Sequence, residues 1–251
     1  ACVMHLVAGP TLTGSRSVFG DHTALMSYRN TGALLLSSHS VQQCHDLGLV
    51  AHLLAKRRSL PVVHFLDGLR TSHELNQADL LTHARLAQLA AEFDAQDDSS
   101  TLDVPDSVQH VMDAPAPTLG CNYGLFGYVG AQDAECVVVV MGSAGTVVQE
   151  AVKVLCAAGH SVGAIMVHLY RPWSHKHFAA ALPGSVKRIA VLERAVDPSG
   201  SSGCLFEDVV STLSWEHNTD VAVVLGCVVG VGTTEFAVRD AVAVFHNMKQ
   251  A

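Results

Sequence analysis

Charge is scarce in this chain. Only 15% of its 251 residues are Asp, Glu, Lys or Arg, and they sum to a formal net charge of −8. There is no basic run, which argues against a nucleic-acid backbone as partner. No apolar stretch is long enough to cross a bilayer, so no transmembrane segment is expected. No signal or transit peptide is legible. The chain starts at alanine, directly in the strand pattern Cys2-Val3-Met4-His5-Leu6-Val7, and the expectation is that something upstream was removed or never retained. The seven cysteines (Cys2, Cys44, Cys121, Cys136, Cys156, Cys204 and Cys227) are odd in number and include no CxxC pair. Their spacing builds no iron–sulfur cluster. It fits buried free thiols in an intracellular reducing compartment, mitochondrial or cytoplasmic. Fifteen histidines is a high count. Only His175 and His177 stand close, as HxH, which is weak support for zinc, and no metal site is expected.

Apolar residues are abundant, at 49%. So core-rich a chain, with so little solvated surface, suggests that a partner covers part of it. Its length allows one large or two ordinary domains. Strand patterns at Cys2–Ala8, Ala33–Leu36 and Val62–Asp67 alternate with helical ones. Asp21 is placed to cap a short helix through Tyr28. Ser40 caps an amphipathic helix to about Arg58, with Val41, Cys44, Leu47, Val50, Ala51 and Leu54 on one face. A further helix is expected over Asp79–Phe93. Residues 94–130 lose periodicity and read as a linker. Beyond it, strands at Cys136–Met141, Val162–His168, Lys187–Leu192 and Val221–Leu225 alternate with helices near Thr146–Ala157, Ser174–Ala181, Leu205–Leu213 and Glu235–Met248. The fold class is α/β in two domains, 1–93 and 131–251, with mostly parallel sheets and crossover helices.

The organising stretch is Val62–Glu74, VVHFLDGLRTSHE. A buried strand breaks at Asp67-Gly68 and runs into Arg70, Thr71, Ser72, His73 and Glu74. The carboxyl end of a parallel strand is where open sheets keep a ligand crevice. The structural alternative, slightly favoured, is that these groups satisfy one another and tie the loop to a neighbouring chain. Asp67, His73 and Glu74 are the right types for an acid–base set, but no nucleophile stands beside them. Thr11–Ser17 is rich in Gly, Ser and Thr, and a vestigial pocket of Thr11, Arg16, Asp67, Arg70, His73 and Glu74 competes with a repacked loop. Gly142, Ser143, Gly145 and Thr146 follow a strand and open a helix. They are a candidate anion-binding turn, or simply a tight turn that needs the same glycines.

The run FLDGLRTSHE resembles FDGFRTSHE of the pyruvate:ferredoxin (flavodoxin) oxidoreductases. Other stretches agree in order. Val18–His22 is similar to SIFGDH, Arg29–Gly32 to RQTG, Ser37–Asp46 to SSxSVQExxD, and Lys187–Glu193 to KKIAVLDR. Val167–Pro172 (VHLYRP) also matches. The resemblance covers nearly the whole chain apart from the linker. It implies an incomplete pyrimidine-binding-like domain of a thiamine enzyme, followed by a transketolase C-terminal-like α/β/α domain. It also implies an arginine closing the strand before FGDH, which grips the pyruvate carboxylate. Gly9 stands at that position, so no catalytic residue is expected here. The family glutamate that activates thiamine diphosphate, and its magnesium and diphosphate sites, are not in this chain. No cofactor is expected unless another chain completes the site with thiamine diphosphate and Mg2+. The family's GRYGL has become Gly226-Cys227-Val228-Val229-Gly230, and its NPYY survives at most as Asn122-Tyr123. A parallel sheet short of its leading strands exposes an edge. Other protein subunits, or a twin in a homo- or hetero-oligomer, are therefore expected to cover the first domain. The reading is a non-catalytic accessory or structural subunit; the alternative is a working fragment of a split pyruvate oxidoreductase.

Overall fold

A computed structural model of the chain describes residues 2–9, 19–94, 103–195, 203–215, 220–231 and 234–251. The first half holds β1 (Val3–Ala8), α1 (Thr23–Met26, running on into a 3-10 turn), β2 (Leu34–Ser37), α2 (Val41–Arg58), β3 (Val62–Asp67), α3 (Gly68–His73) and α4 (His83–Asp94). Ser40 caps α2 by accepting from the Gln43 N–H, and Lys56, Arg57 and Arg58 crowd its last turn, where the helix dipole favours cations. The expected Asp21 cap is displaced by one residue: His22 is the N-cap of α1 and makes no side-chain capping bond, while Asp21 before it accepts from the Thr23 N–H at 2.8 Å.

The segment read as a linker is structured among its described residues. It carries α5 (Val104–Asp113), α6 (Ala116–Leu119) and β4 (Phe126–Gly130). Proline misled the reading. Asp103 caps α5 and Pro105 sits in its first turn, a place where a missing N–H costs nothing. Val108, Val111 and Met112 are buried on its inner face. The glycine-bearing β4 is an edge strand. The expected helix over Asp79–Phe93 begins only at His83, because Asp79 is held by the Gln42 side chain, which accepts its N–H and donates to its carbonyl.

The rest is β5 (Cys136–Val140), α7 (Ala144–Ala157), β6 (Val162–Val167), β7 (Leu169–Arg171), α8 (His175–Ala181), β8 (Arg188–Glu193), α9 (Cys204–Trp215), β9 (Val223–Val228) and α10 (Val238–Gln250). Two sheets form, β1-β3-β2-β7 and β4-β6-β5-β8-β9. Each is parallel except for one antiparallel edge, β7 on β2 and β4 on β6. β5 is buried at all five positions and β6 at all six, as expected for strands covered on both faces.

The two halves share a strand run. The chain leaves the second sheet at Val167 and enters the first at Leu169. His168 sits at this crossing, 4% exposed. Its carbonyl accepts from the Ser37 N–H and its own N–H donates to Leu125. Its ring bonds the Gly124 carbonyl at 2.7 Å and the Gln43 amide at 3.1 Å. One hydrophobic cluster runs continuously from Leu34–Leu36 to Ile189 and Val191, so the halves are packed as one body.

Candidate functional site

Asp67 ends β3 with none of its surface exposed. Its Oδ1 meets His22 Nε2 at 2.5 Å. Its Oδ2 accepts from the Ser143 N–H at 2.7 Å and pairs with the Arg194 guanidinium. Arg194, 4% exposed, also donates to Ser143 Oγ at 2.7 Å and to the Phe19 carbonyl at 3.1 Å. Burial alone would raise the Asp67 carboxyl, but His22, Arg194 and the Ser143 N–H hold it well below the usual carboxylate range. The elements are packed hard around it. A Cβ on Gly20 would lie 2.8 Å from the Asp67 carboxyl carbon. One on Gly142, whose φ is +74°, would lie 2.8 Å from Oδ2 and 2.9 Å from His22 Cε1.

This geometry sorts the candidates. The turn Gly142–Thr146 does receive an anion, and that anion is Asp67. The Ser143 N–H is spent on it, and the Gly142 N–H on Ser37 Oγ at 3.2 Å. The Gly145 N–H closes on the Gly142 carbonyl and Thr146 Oγ1 on the Ser143 carbonyl. Asp67, His73 and Glu74 do not converge, which corrects the acid–base set. The polar run folds as α3, which carries His73 and Glu74 to the surface while Asp67 stays inside. Arg70 lies beside Glu74 and pairs with Glu235 of the second half, while His73 meets Ser72 Oγ at 2.7 Å. Thr11 and Arg16 lie outside the described residues. Gly9 follows Ala8, whose register partner is Asp67, and among the described residues a Cβ there would meet nothing closer than the Val7 carbonyl at 3.9 Å. The HxH pair also diverges: His175 bonds Thr212 and His177 bonds Ser174 and Asp106.

Sequence reasoning missed two groupings. His22, the last residue of the FGDH-like run, and Arg194, one residue past Lys187–Glu193, were not singled out as site residues. Asp46, fully buried, accepts from Tyr123 Oη at 2.6 Å and Gln42 Nε2 at 3.0 Å, and meets His45 Nδ1 at 2.8 Å. The last position of SSxSVQExxD and the remnant of NPYY therefore meet. A cleft of about 410 Å³ between β4 and α7, lined in part by Val129, Gln149, Lys153 and Cys156, includes none of the candidates.

Two family profiles match the chain in sequence. One, described as "Pyruvate flavodoxin/ferredoxin oxidoreductase, thiamine diP-bdg", covers residues 1–119. The other, "Pyruvate:ferredoxin oxidoreductase core domain II", covers residues 134–241. The chain belongs to the pyruvate:ferredoxin (flavodoxin) oxidoreductase family. The pyruvate:ferredoxin oxidoreductase of Moorella thermoacetica is 39% identical over 98% of this chain and 24% of its own length. The mitochondrial NADP(+)-dependent pyruvate dehydrogenase of Euglena gracilis is 38% identical over 98% of this chain and 15% of its own length. The chain thus spans a quarter or less of these curated relatives. Among solved structures, the 2-oxoglutarate:ferredoxin oxidoreductase of Magnetococcus marinus superposes with a TM-score of 0.57 at 16% identity, covering 98% of this chain and 48% of that one. At that identity the likeness speaks for the fold, which is that of this oxidoreductase family.

Proposed function

We propose that this chain is a non-catalytic member of the pyruvate:ferredoxin oxidoreductase family that serves as an accessory or structural part of a larger assembly. The observation that carries this reading is Gly9. It stands beside the carboxyl end of β3 and has no charge to offer a carboxylate. The motifs that survive have structural work of their own. Asp67, His22, Arg194, Ser143, Ser37 and Gln43 bond one another or the backbone inside the protein, and Asp46 bonds the Tyr123 hydroxyl. Selection for packing is enough to retain them.

Thiamine diphosphate with Mg2+ requires converging oxygen donors and free N–H groups for its phosphates. Among the described residues no group of three or more His, Cys, Asp or Glu is placed to hold a cation, and the 142–146 turn is already spent on Asp67 and Ser37. The described residues offer that group no such cradle, which supports reading the chain by itself as binding none. A partner is expected along β1, an edge strand whose His5 and Val7 are exposed. All seven cysteines are free, in keeping with a reducing compartment, mitochondrial or cytoplasmic.

The second reading, a working segment of a split pyruvate oxidoreductase completed by other chains, draws on the 39% identity to the Moorella enzyme. Grafting this chain into the Moorella enzyme in place of the matching stretch separates the two. The non-catalytic reading expects a folded chimera without coenzyme A-dependent pyruvate oxidation, and recovery of turnover with Gly9→Arg. Turnover by the unmodified chimera would sink it.

A further inference from the structure

Three histidines stand in line at the outer edge of the first sheet. His5 on β1 and His64 on β3 are register partners, and their Nδ1 atoms lie 2.9 Å apart. His64 Nε2 is 2.7 Å from Ser38 Oγ, which donates to the Gln43 carbonyl at 3.1 Å. At the other end, His5 Nε2 is 3.3 Å from His52 Nε2 on α2. His5 and His52 are exposed, while His64 is 1% exposed.

Proton counting gives this chain a direction. The Ser38 hydroxyl has one proton, and the contact to Gln43 uses it. Ser38 Oγ must then accept from His64 Nε2–H. A neutral His64 has one N–H, so its Nδ1 is a bare acceptor and takes the His5 Nδ1–H. That leaves His5 Nε2 with a free lone pair, facing His52. A ligating histidine is normally oriented in this way, by a bond from its other nitrogen to a group behind it.

We propose that His5 Nε2 and His52 Nε2 form a two-imidazole site for a divalent transition-metal ion such as Cu2+ or Zn2+, with His64 and Ser38 as positioning residues. The spacing suits it. Two nitrogens each about 2.0–2.1 Å from a tetrahedral zinc lie roughly 3.3–3.4 Å apart, against the 3.3 Å present here. The remaining coordination positions face solvent beside the β1 edge. Imidazole pairs favour Cu2+ over Zn2+ and have little use for Mg2+.

The test is calorimetric titration of the full chain with Cu2+, Zn2+ and Mg2+, paired with the nitrogen hyperfine pattern of bound Cu2+. The wild type is expected to bind one more equivalent of Cu2+ than His52→Ala or His5→Ala, with two nitrogens on that copper. The exposed His73→Ala should keep the equivalent. His64→Gln, which disturbs only the group behind, should weaken it about tenfold or more without abolishing it. The proposal fails if His52→Ala binds as the wild type does, if His73→Ala loses the same equivalent, or if Mg2+ competes as well as Zn2+.

Discussion

Replacing Asp67 by asparagine tests whether the buried network holds the two halves together. In the folded protein the carboxylate has three donors, from His22, Ser143 and Arg194. The amide would keep the volume and lose the charge. Arg194 would then be a buried cation whose remaining acceptors among the described residues are neutral, the Ser143 hydroxyl and the Phe19 carbonyl. Breaking one side of a buried ion pair costs about 3–5 kcal/mol, a fifth or more of the roughly 5–15 kcal/mol of a typical domain. We expect Asp67→Asn near the upper end. Arg194→Leu should fall near the lower end, because His22 and Ser143 still serve the carboxylate. The double variant should cost less than the sum by about 0.5–3 kcal/mol. Urea unfolding followed by Trp173 and Trp215 fluorescence, with circular dichroism as a second probe, gives the three values. The pH profile supplies an independent check. Because the folded Asp67 carboxyl lies below its ordinary 3.8, its contribution is fully present above that value. It is lost as pH falls below it towards the folded value, and Asp67→Asn should flatten this acid limb. An Asp67→Asn protein within about 1 kcal/mol of the wild type, or strictly additive variants, would refute the reasoning.

Other outcomes follow from the same geometry. Tyr123→Phe deprives the buried Asp46 carboxylate of its 2.6 Å donor; urea unfolding should show a loss of about 1.5–3 kcal/mol. Gly142→Ala puts a methyl against Asp67 and His22 at a positive φ and should lower thermal stability sharply. Gly184→Ala, with nothing within 4 Å, should stay within about 0.5 kcal/mol of the wild type. Gly9→Arg, whose Cβ would meet only the Val7 carbonyl at 3.9 Å among the described residues, should likewise be neutral in the free chain, as measured by thermal melting. His39 and His64 are held down to about 3 and about 4, first by burial and then by neighbouring histidines. Their folded values lie below the ordinary 6.5, so their contribution is complete above that pH and falls as the solution is acidified through it. The urea midpoint should drop between about pH 6.5 and 4, and His64→Gln should drop less.

The strands and helices were readable where their cause is local. β3 announced itself as an apolar run ended by Asp67-Gly68, α2 by Ser40 and its periodic face, and α8 by Ser174, which accepts from the His177 N–H. Propensity, caps and periodicity act within a few residues, so the amino-acid order carries them. The same locality produced the errors. Prolines in the first turns of α5 and α6 looked like a linker, because proline breaks a helix interior but suits a helix start. The anion turn was legible as a turn, while its anion was not.

Partners across long separations left no local trace. Asp67 and Arg194 are 127 positions apart, and Asp46 and Tyr123 are 77 apart. Each has the same composition signal whether it binds a ligand, water or another side chain. Family membership and the alternation of elements therefore belong to the linear chain, since they need no knowledge of what touches what. That Asp67 is a keystone between two sheets, with its donors drawn from FGDH, the 142–146 turn and the end of β8, was decided when the β6–β7 run crossed from one sheet to the other. Only that crossing brought those groups within hydrogen-bonding distance and shut out the water that would otherwise have served them.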